Sequence, residues 1–154
     1  MIAEPLTRGA FEPFGRVLAR PDAGPDATGP GWSWWAEAAV VPAGGRDHAL
    51  GYLDLVPGEL QLDWAERHAR TTETILPLGG ACVVYVAPPA EAPAGFRAFR
   101  VAPGQGVVLD PGVWHGAPFA VDAPLAAAVL LARGTGAGDT VVVRFPDNPL
   151  RIEV

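Results

Sequence analysis

The fold is decided by residues 48–87, which read HALGYLDLVPGELQLDWAERHARTTETILPLGGACVVYVA. Short apolar runs are separated there by Pro, Gly and charged residues, without a long amphipathic helical pattern. In residues 52–55 (YLDL) and 60–63 (LQLD), apolar and polar side chains alternate with a period of two, as in half-buried strands. The stretch therefore predicts four strands, at residues 48–56, 60–64, 74–76 and 81–87.

The rest of the chain continues this pattern around many turns. The 19 Gly and 17 Pro fall between β-rich runs. Further strands are predicted at residues 38–41, 96–101, 107–109, 125–132 and 140–145. Residues 20–31, with three Pro and three Gly, predict a loop, and the tryptophans at 32, 34 and 35 predict an aromatic strand or a loop that folds over another part.

A brief helix is predicted near the start, where Thr7 can cap it and Phe11 and Phe14 lie three residues apart. Eight or nine short strands without a long helix indicate an all-β sandwich, jelly roll or barrel. The 154 residues, 49% of them hydrophobic, fit one domain covering residues 1–154, and no internal repeat or linker interrupts them.

Composition excludes several classes of function. The net charge is −6 and the 11 basic residues are scattered and all Arg, which argues against nucleic acid and anionic membranes as partners. The lack of Lys excludes Schiff-base chemistry. No uninterrupted apolar stretch of roughly 18 residues and no signal-peptide layout is present, so we expect a cytoplasmic protein. The single cysteine, Cys82, lies in an apolar run and is expected to be buried.

Two segments carry candidate chemistry. In residues 66–73 (ERHARTTE), Glu66 and His68 are two apart and face the same side of a strand, to which Glu73 can return. In residues 111–115 (PGVWH), a Pro-Gly turn leads into a strand that begins near His115. Side chains of several strands converge at the mouth of a β-barrel, so we expect these residues to form one pocket.

Both segments resemble the two motifs of the cupins. In the first motif, His-x-His precedes a Glu and then a Gly; His68, Glu73 and Gly80 take the last three positions, and Glu66 stands where the first His would be. The second motif resembles residues 111–115. The resemblance implies a double-stranded β-helix, a cupin-like jelly-roll barrel with a short N-terminal helix, and a homodimer.

A narrower resemblance spans nearly the whole chain. Residues 6–15 (LTRGAFEPFG), 66–68 (ERH), 76–78 (LPL) and 113–115 (VWH) resemble the ureidoglycolate lyase family in order and spacing. The resemblance implies cleavage of ureidoglycolate, a carbinolamide, to glyoxylate and urea in allantoin catabolism. The chain departs from the family pattern at four positions, which are Asp63, Glu73, Asp110 and Gly116.

The implied reaction needs a base for the hydroxyl proton, an acid for the leaving nitrogen and a cation for the carboxylate. His68 or His115 can transfer the protons because imidazole titrates near neutral pH, and Glu73 or Glu66 can orient them. The candidate substrate-binding residues are Arg70, Arg67 and Trp114. An arginine can hold a carboxylate through a bidentate fork, and Arg70 is favoured if Arg67 faces outward.

The same set also suits a metal. His68, His115, Glu73 and Glu66 offer imidazole and carboxylate ligands for Zn, Mn, Fe or Ni. The sequence therefore leaves open whether no cofactor or one divalent metal is required. The expected partner is a small-molecule carboxylate, and three hypotheses for the function remain. They are a ureidoglycolate lyase-like enzyme, a metal-dependent cupin isomerase or dioxygenase, and a non-catalytic cupin that binds a small ligand.

Overall fold

A computed structural model describes residues 1–90, 92–145 and 147–154. The helical elements are short: α1 (Arg8–Phe11), a 3₁₀ turn (Glu12–Phe14) and α2 (Thr135–Gly138). The strands, in chain order, are β1 (Ala3–Pro5), β2 (Gly15–Leu18), β3 (Ala27–Gly29), β4 (Trp32–Trp34), β5 (His48–Leu55), β6 (Gln61–Leu62), β7 (Trp64–Arg67), β8 (Glu73–Leu78), β9 (Cys82–Ala87), β10 (Arg97–Val101), β11 (Gly106–Leu109), β12 (Trp114–His115), β13 (Phe119–Ala120), β14 (Leu125–Ala132), β15 (Val141–Arg144) and β16 (Leu150–Arg151).

Two sheets build the barrel. The first sheet has the order β1-β10-β9-β12-β7-β15, with β13 also pairing with β9, and the second has the order β2-β11-β8-β14-β5. Neighbouring strands are antiparallel except β1 and β10. Consecutive strands often lie in different sheets, as β7 and β8 do, which is the crossing pattern of a jelly roll. The all-β, cupin-like barrel expected from the sequence is confirmed.

Strand β9 explains how the core is divided. Its alternate residues Cys82, Val84 and Val86 pack between the two sheets with Phe99 and Ile75. The intervening Val83, Tyr85 and Ala87 pack on the other face of the first sheet, against Trp114 and the C-terminal Ile152. Because both faces of β9 are covered, the strand is apolar throughout rather than alternating.

The predicted N-terminal helix is confirmed and closes one end of the core. The Thr7 hydroxyl accepts a hydrogen bond from the amide of Ala10 at 3.2 Å, which caps α1. Phe11 and Phe14 are buried, and Phe11 meets Phe99 edge-on with ring centroids 5.2 Å apart. In the described residues, no helix is long and apolar enough to cross a membrane.

The structure corrects some strand boundaries. Residues 38–41 do not form the predicted strand: Val40 is exposed, and the Pro42 that follows has no amide hydrogen for a ladder. The predicted strand at 60–64 divides into β6 and the start of β7, and the oxygen of the intervening Asp63 accepts the amide of Phe145. Residues 20–31 are not wholly a loop, because β3 forms there and pairs with β4.

Candidate active site

A cavity of about 460 Å³ opens between the two sheets. The first sheet contributes Trp64 and Glu66, and the turn after β7 contributes His68. Strand β8 of the second sheet contributes Glu73, and the loop that precedes β15 contributes Thr140. Titratable side chains from both sheets therefore meet in one place.

Strand pairing brings Glu66, His68 and His115 together. In the first sheet β12 lies directly beside β7, and His115 is the register partner of Glu66. Directly opposed residues of an antiparallel pair have adjacent side chains on one face. His68 follows two residues after Glu66, on the same side. One ligand atom from each of the three residues lies within 4.8 Å of the others.

Glu73 joins this cluster from the second sheet. Its Oε2 atom lies 3.1 Å from His68 Nε2 and 3.2 Å from His115 Nε2. Both histidines are buried, and their rings meet edge-on with centroids 5.2 Å apart. A single carboxylate oxygen is therefore shared by two imidazoles.

The other ring nitrogens are held by main-chain oxygens. His115 Nδ1 lies 2.9 Å from the oxygen of Val113, and His68 Nδ1 lies 3.0 Å from the oxygen of Asp139. A carbonyl oxygen only accepts, so each Nδ1 carries a proton. In a neutral imidazole Nε2 then has a lone pair, which repels the oxygen of Glu73. The cluster therefore requires either an additional proton on Nε2 or a cation among the three atoms.

The pKa shifts follow from this arrangement. Burial is the largest single effect on His68 and lowers its pKa, but the hydrogen bonds to Glu73 and to the Asp139 oxygen, together with the charge of Glu73, outweigh it. The pKa of His68 therefore lies above its ordinary value. Burial is likewise the largest effect on His115 and lowers its pKa, but the charge of Glu73, the hydrogen bond to it and the contact with the Val113 oxygen together outweigh burial and raise the pKa. Burial raises the pKa of Glu73, yet the two imidazoles together hold it below its usual range. At neutral pH the carboxylate is ionised and favours an imidazolium beside it.

Sequence reasoning missed Asp139 and Thr140. The Asp139 carboxylate accepts the amides of Ala69 and Arg70, at 3.1 and 2.8 Å, and so holds the turn that carries His68. Burial raises the pKa of Asp139, but these amides and the Arg70 guanidinium lower it below its ordinary value. The Thr140 hydroxyl lies 3.2 Å from His68 Nδ1. A sequence feature that points to Asp139 is its position at the end of the run of small residues before β15, where an Asp typically stabilises a turn.

Arg70 does not line the cavity. Its Nε lies 3.3 Å from the carboxylate of Asp139, another guanidinium nitrogen donates to the oxygen of Gly138, and its side chain is 61% exposed. Gly138 lies two residues from Gly136, which does line the cavity. Arg70 itself lines a separate surface depression with Pro42 and Asp110, and its guanidinium is already engaged by an acidic residue.

Arg67 and Trp114 lie on the other face of the first sheet. The guanidinium of Arg67 stacks over the Trp114 ring, 4.9 Å from its centroid. Both side chains donate to the oxygen of Ala90, and Trp114 belongs to the core cluster on that face. The structure does not bring these two residues into the cavity, and their contact with substrate stays a prediction.

The departures from the family pattern have local explanations. Asp110 forms an ion pair with Arg16 at 2.7 Å. At Gly116 an added Cβ would lie 1.7 Å from the Tyr85 hydroxyl oxygen, so any side chain there would overlap Tyr85. The hydroxyl donates to the oxygen of Trp64 at 3.0 Å, and burial raises its pKa. Tyr85 therefore occupies the space that a second histidine would need.

Comparison with known proteins identifies the family of this chain. Residues 1–153 match the sequence profile of the family described as ureidoglycolate lyase. A ureidoglycolate lyase of Rhodobacter capsulatus is 35% identical over a 156-position alignment that covers 89% of this chain and 89% of that protein. Ureidoglycolate lyase 2 of Rhizobium meliloti is 32% identical over a 161-position alignment that covers 97% of this chain and 94% of that protein. Among solved structures, vicilin from hazelnut (Corylus avellana) has a TM-score of 0.48 at 14% identity, covering 94% of this chain and 34% of that one. The match across residues 1–153 and the identity of these relatives show that the chain belongs to the ureidoglycolate lyase family.

Proposed function

We propose that the protein is a carbinolamide lyase that cleaves ureidoglycolate to glyoxylate and urea. Family membership supports this proposal, as do the names of the two relatives. The observation that carries it is the single oxygen of Glu73 shared by His68 and His115, whose Nδ1 atoms are held by main-chain oxygens. Such a cluster keeps a proton on an imidazole at neutral pH, which is what protonation of a leaving nitrogen requires.

The cavity-lining residues divide the proton transfers between them. We assign Glu66 as the base that removes the substrate hydroxyl proton and His68 as the acid that protonates the leaving nitrogen. The electron pair left on the hydroxyl oxygen forms the carbonyl bond of glyoxylate, and the electron pair of the broken carbon–nitrogen bond stays on the nitrogen of urea. The proton gained by Glu66 replaces the one lost by His68, so no net proton is consumed. His115 does not line the cavity and acts through Glu73 as a positioning residue.

Arg70 is our candidate for the substrate carboxylate. Its guanidinium bonds to Gly138, two residues before the cavity-lining Thr140, and because it is exposed it can exchange Asp139 for a second carboxylate by rotation of its side chain. We expect Arg70→Ala to raise KM more than it lowers kcat. An unchanged KM would contradict this role.

Glyoxylate release tests the proposed activity. Purified protein should produce glyoxylate from ureidoglycolate above the spontaneous rate, and His68→Ala should lower kcat/KM by about 10²–10⁴-fold because the general acid is lost. His48→Ala is the matched control, since the third histidine hydrogen bonds the oxygen of Arg46 rather than the cluster. No glyoxylate above the spontaneous rate would contradict the proposal. Thermal stabilisation by ureidoglycolate without product would support a non-catalytic binding protein instead.

The cluster also fits a divalent metal. Two imidazole Nε2 atoms converge with carboxylate oxygens, and the Nδ1–H groups are held by carbonyl oxygens, as is usual for metal-binding histidines. Glu66, His68 and His115 would hold the ion, with Glu73 in reach. When bound, Zn, Mn, Fe or Ni would polarise a substrate oxygen. This donor set favours a second candidate function, a metal-dependent reaction of another small carboxylate.

Metal content tests this candidate. Elemental analysis of protein purified without chelator should give about one equivalent of metal in the wild type and in His48→Ala. His115→Ala should lose that metal, because one converging nitrogen is removed. A wild type without bound metal would contradict the metal-dependent candidate and leave the proton-transfer assignment.

We further propose that the protein forms a homodimer through the outer face of the second sheet. Leu50, Tyr52 and Leu78 are exposed, and they pair with alternate residues of β14, so they share one face. Strand β5 is the last in the order of this sheet, so among the described residues its outer backbone N–H and C=O groups are available to pair with a second copy. Light scattering should give about twice the 16.0 kDa chain mass, and Leu50→Asp should halve it. A wild type of single-chain mass would contradict this proposal.

A further inference from the structure

One part of the cavity is polar, and one of its walls is apolar. Its ionisable side chains are concentrated at Glu66, His68 and Glu73. The wall formed by β5 and β14 presents Leu53, Val129 and Leu131. These residues face inward by alternation along their strands, and Val129 pairs directly with Gly51, two residues before Leu53 on the same face.

We propose that the site accepts N-acyl-α-hydroxyglycines with an apolar acyl group, in preference to ureidoglycolate. This inference rests on the proposed carbinolamide lyase activity and names its substrate class. All such substrates share the reacting carbon, which bears a hydroxyl, a carboxylate and an amide nitrogen. They differ only in the group beyond the amide carbonyl, which is NH2 in ureidoglycolate and an alkyl or aryl chain in the proposed substrates.

The wall favours the apolar group for two reasons. The terminal NH2 of a ureido group needs hydrogen-bond acceptors, and placing it against Leu53, Val129 and Leu131 would leave its donors unpaired. The cavity of about 460 Å³ also has room for a group larger than the ureido NH2. A short acyl chain would cover the wall and release water from it, which contributes about fourfold in affinity for each buried methylene.

The reaction is the same bond cleavage for both substrates. The hydroxyl proton passes to Glu66, the carbon–nitrogen bond breaks, and its electron pair stays on the amide nitrogen, which takes the proton of His68. The products are glyoxylate and a primary carboxamide. No oxidant, reductant or co-reactant is needed, and glyoxylate is a common product by which the substrates can be compared.

The test compares ureidoglycolate with the acetyl, butanoyl, hexanoyl and benzoyl derivatives of α-hydroxyglycine. We expect kcat/KM to rise about fourfold per methylene along the alkyl series and to exceed that of ureidoglycolate at least tenfold for the hexanoyl compound. Leu131→Asn, which keeps the side-chain size but makes the wall polar, should reduce the hexanoyl-to-ureidoglycolate ratio about tenfold. Leu150→Asn, the same change at an exposed site outside the cavity, should leave the ratio unchanged.

The outcomes separate the two proposals. Glyoxylate from ureidoglycolate at a higher kcat/KM than from every acyl derivative would overturn this inference and leave the proposed function intact. Glyoxylate from no substrate would overturn both. An acyl preference that Leu131→Asn does not reduce would overturn the assignment of the wall. If Leu131→Asn fails to fold, Val129→Thr makes the same test with a nearly isosteric change at another inward-facing wall residue.

Discussion

Removal of the Asp139 carboxylate should both destabilise the protein and disable His68. The side chain of Asp139 is 8% exposed and accepts the amides of Ala69 and Arg70, at 3.1 and 2.8 Å. Hydrogen bonds to an ionised acceptor contribute about 1.5–3 kcal/mol each, so Asp139→Ala should cost about 3 kcal/mol. For a chain of this length that corresponds to about 6–12 °C in Tm. Asp139→Asn retains one acceptor oxygen and should lose about half as much.

The same change should act on catalysis through His68. The turn held by the Asp139 carboxylate carries His68, whose Nδ1–H donates to the main-chain oxygen of Asp139 at 3.0 Å. Release of this turn would let the imidazole rotate away from Glu73. Loss of such a supporting contact typically lowers activity by about 10–100-fold. The assay is glyoxylate release across pH, beside thermal unfolding. A change in the shape of the pH profile would separate altered imidazole protonation from a simple loss of folded protein.

Asp122→Ala is the matched control. Asp122 also pairs with an arginine, Arg100, at 3.3 Å, the same distance as between Arg70 and Asp139, but its side chain is 76% exposed. An exposed pair contributes about 0–1 kcal/mol, so the control should change Tm and kcat/KM little. Equal effects of the two substitutions would refute the hydrogen-bond argument. A Tm loss in Asp139→Ala with unaltered kcat/KM and pH profile would refute the orienting role.

Two further changes test the packing and electrostatics of the site. Gly116→Ala should destabilise by about 3 kcal/mol because its Cβ would lie 1.7 Å from the Tyr85 oxygen, whereas Gly9→Ala, with no atom within 4 Å, should not. In urea unfolding, Gly116→Ala should cost little further stability in a Tyr85→Ala background, and a fully stable Gly116→Ala would contradict this packing. The pKa of Glu73 is lowered from 4.5, so its stabilisation is present above pH 4.5 and lost as pH falls towards the folded pKa. The pKa of His68 is raised from 6.5, so its stabilisation is present below pH 6.5 and lost as pH rises through the folded pKa. With chelator present, the free energy of unfolding should therefore be greatest between about pH 4.5 and 6.5. Glu73→Gln should flatten this dependence on pH. An unchanged pH dependence in this variant would rule out the cluster as the source of the maximum.

Much of the local structure follows from the sequence because side-chain direction depends on backbone geometry alone. Alternation along β5 and the apolar run of β9 predicts strands. The two-residue spacing of Glu66 and His68 predicts that they face one side, and Thr7 predicts the cap of α1. Residues 38–41 are apolar enough for a strand, but no partner strand pairs with them among the described residues.

The site depends on pairing between distant segments. Glu73 and His115 are 42 positions apart and meet because β8 and β12 lie in sheets that face each other. Asp139 is 71 positions from His68. Arg67 follows Glu66 directly, yet alternation and the packing of Trp114 turn it to the other face of the sheet. The sequence by itself determined the strands and the shared face of Glu66 and His68, since these depend on local backbone geometry. Only the tertiary structure decided which strands are neighbours, and with them the shared Glu73 oxygen, the support from Asp139 and the apolar wall, because strand register is selected by burial over the whole chain.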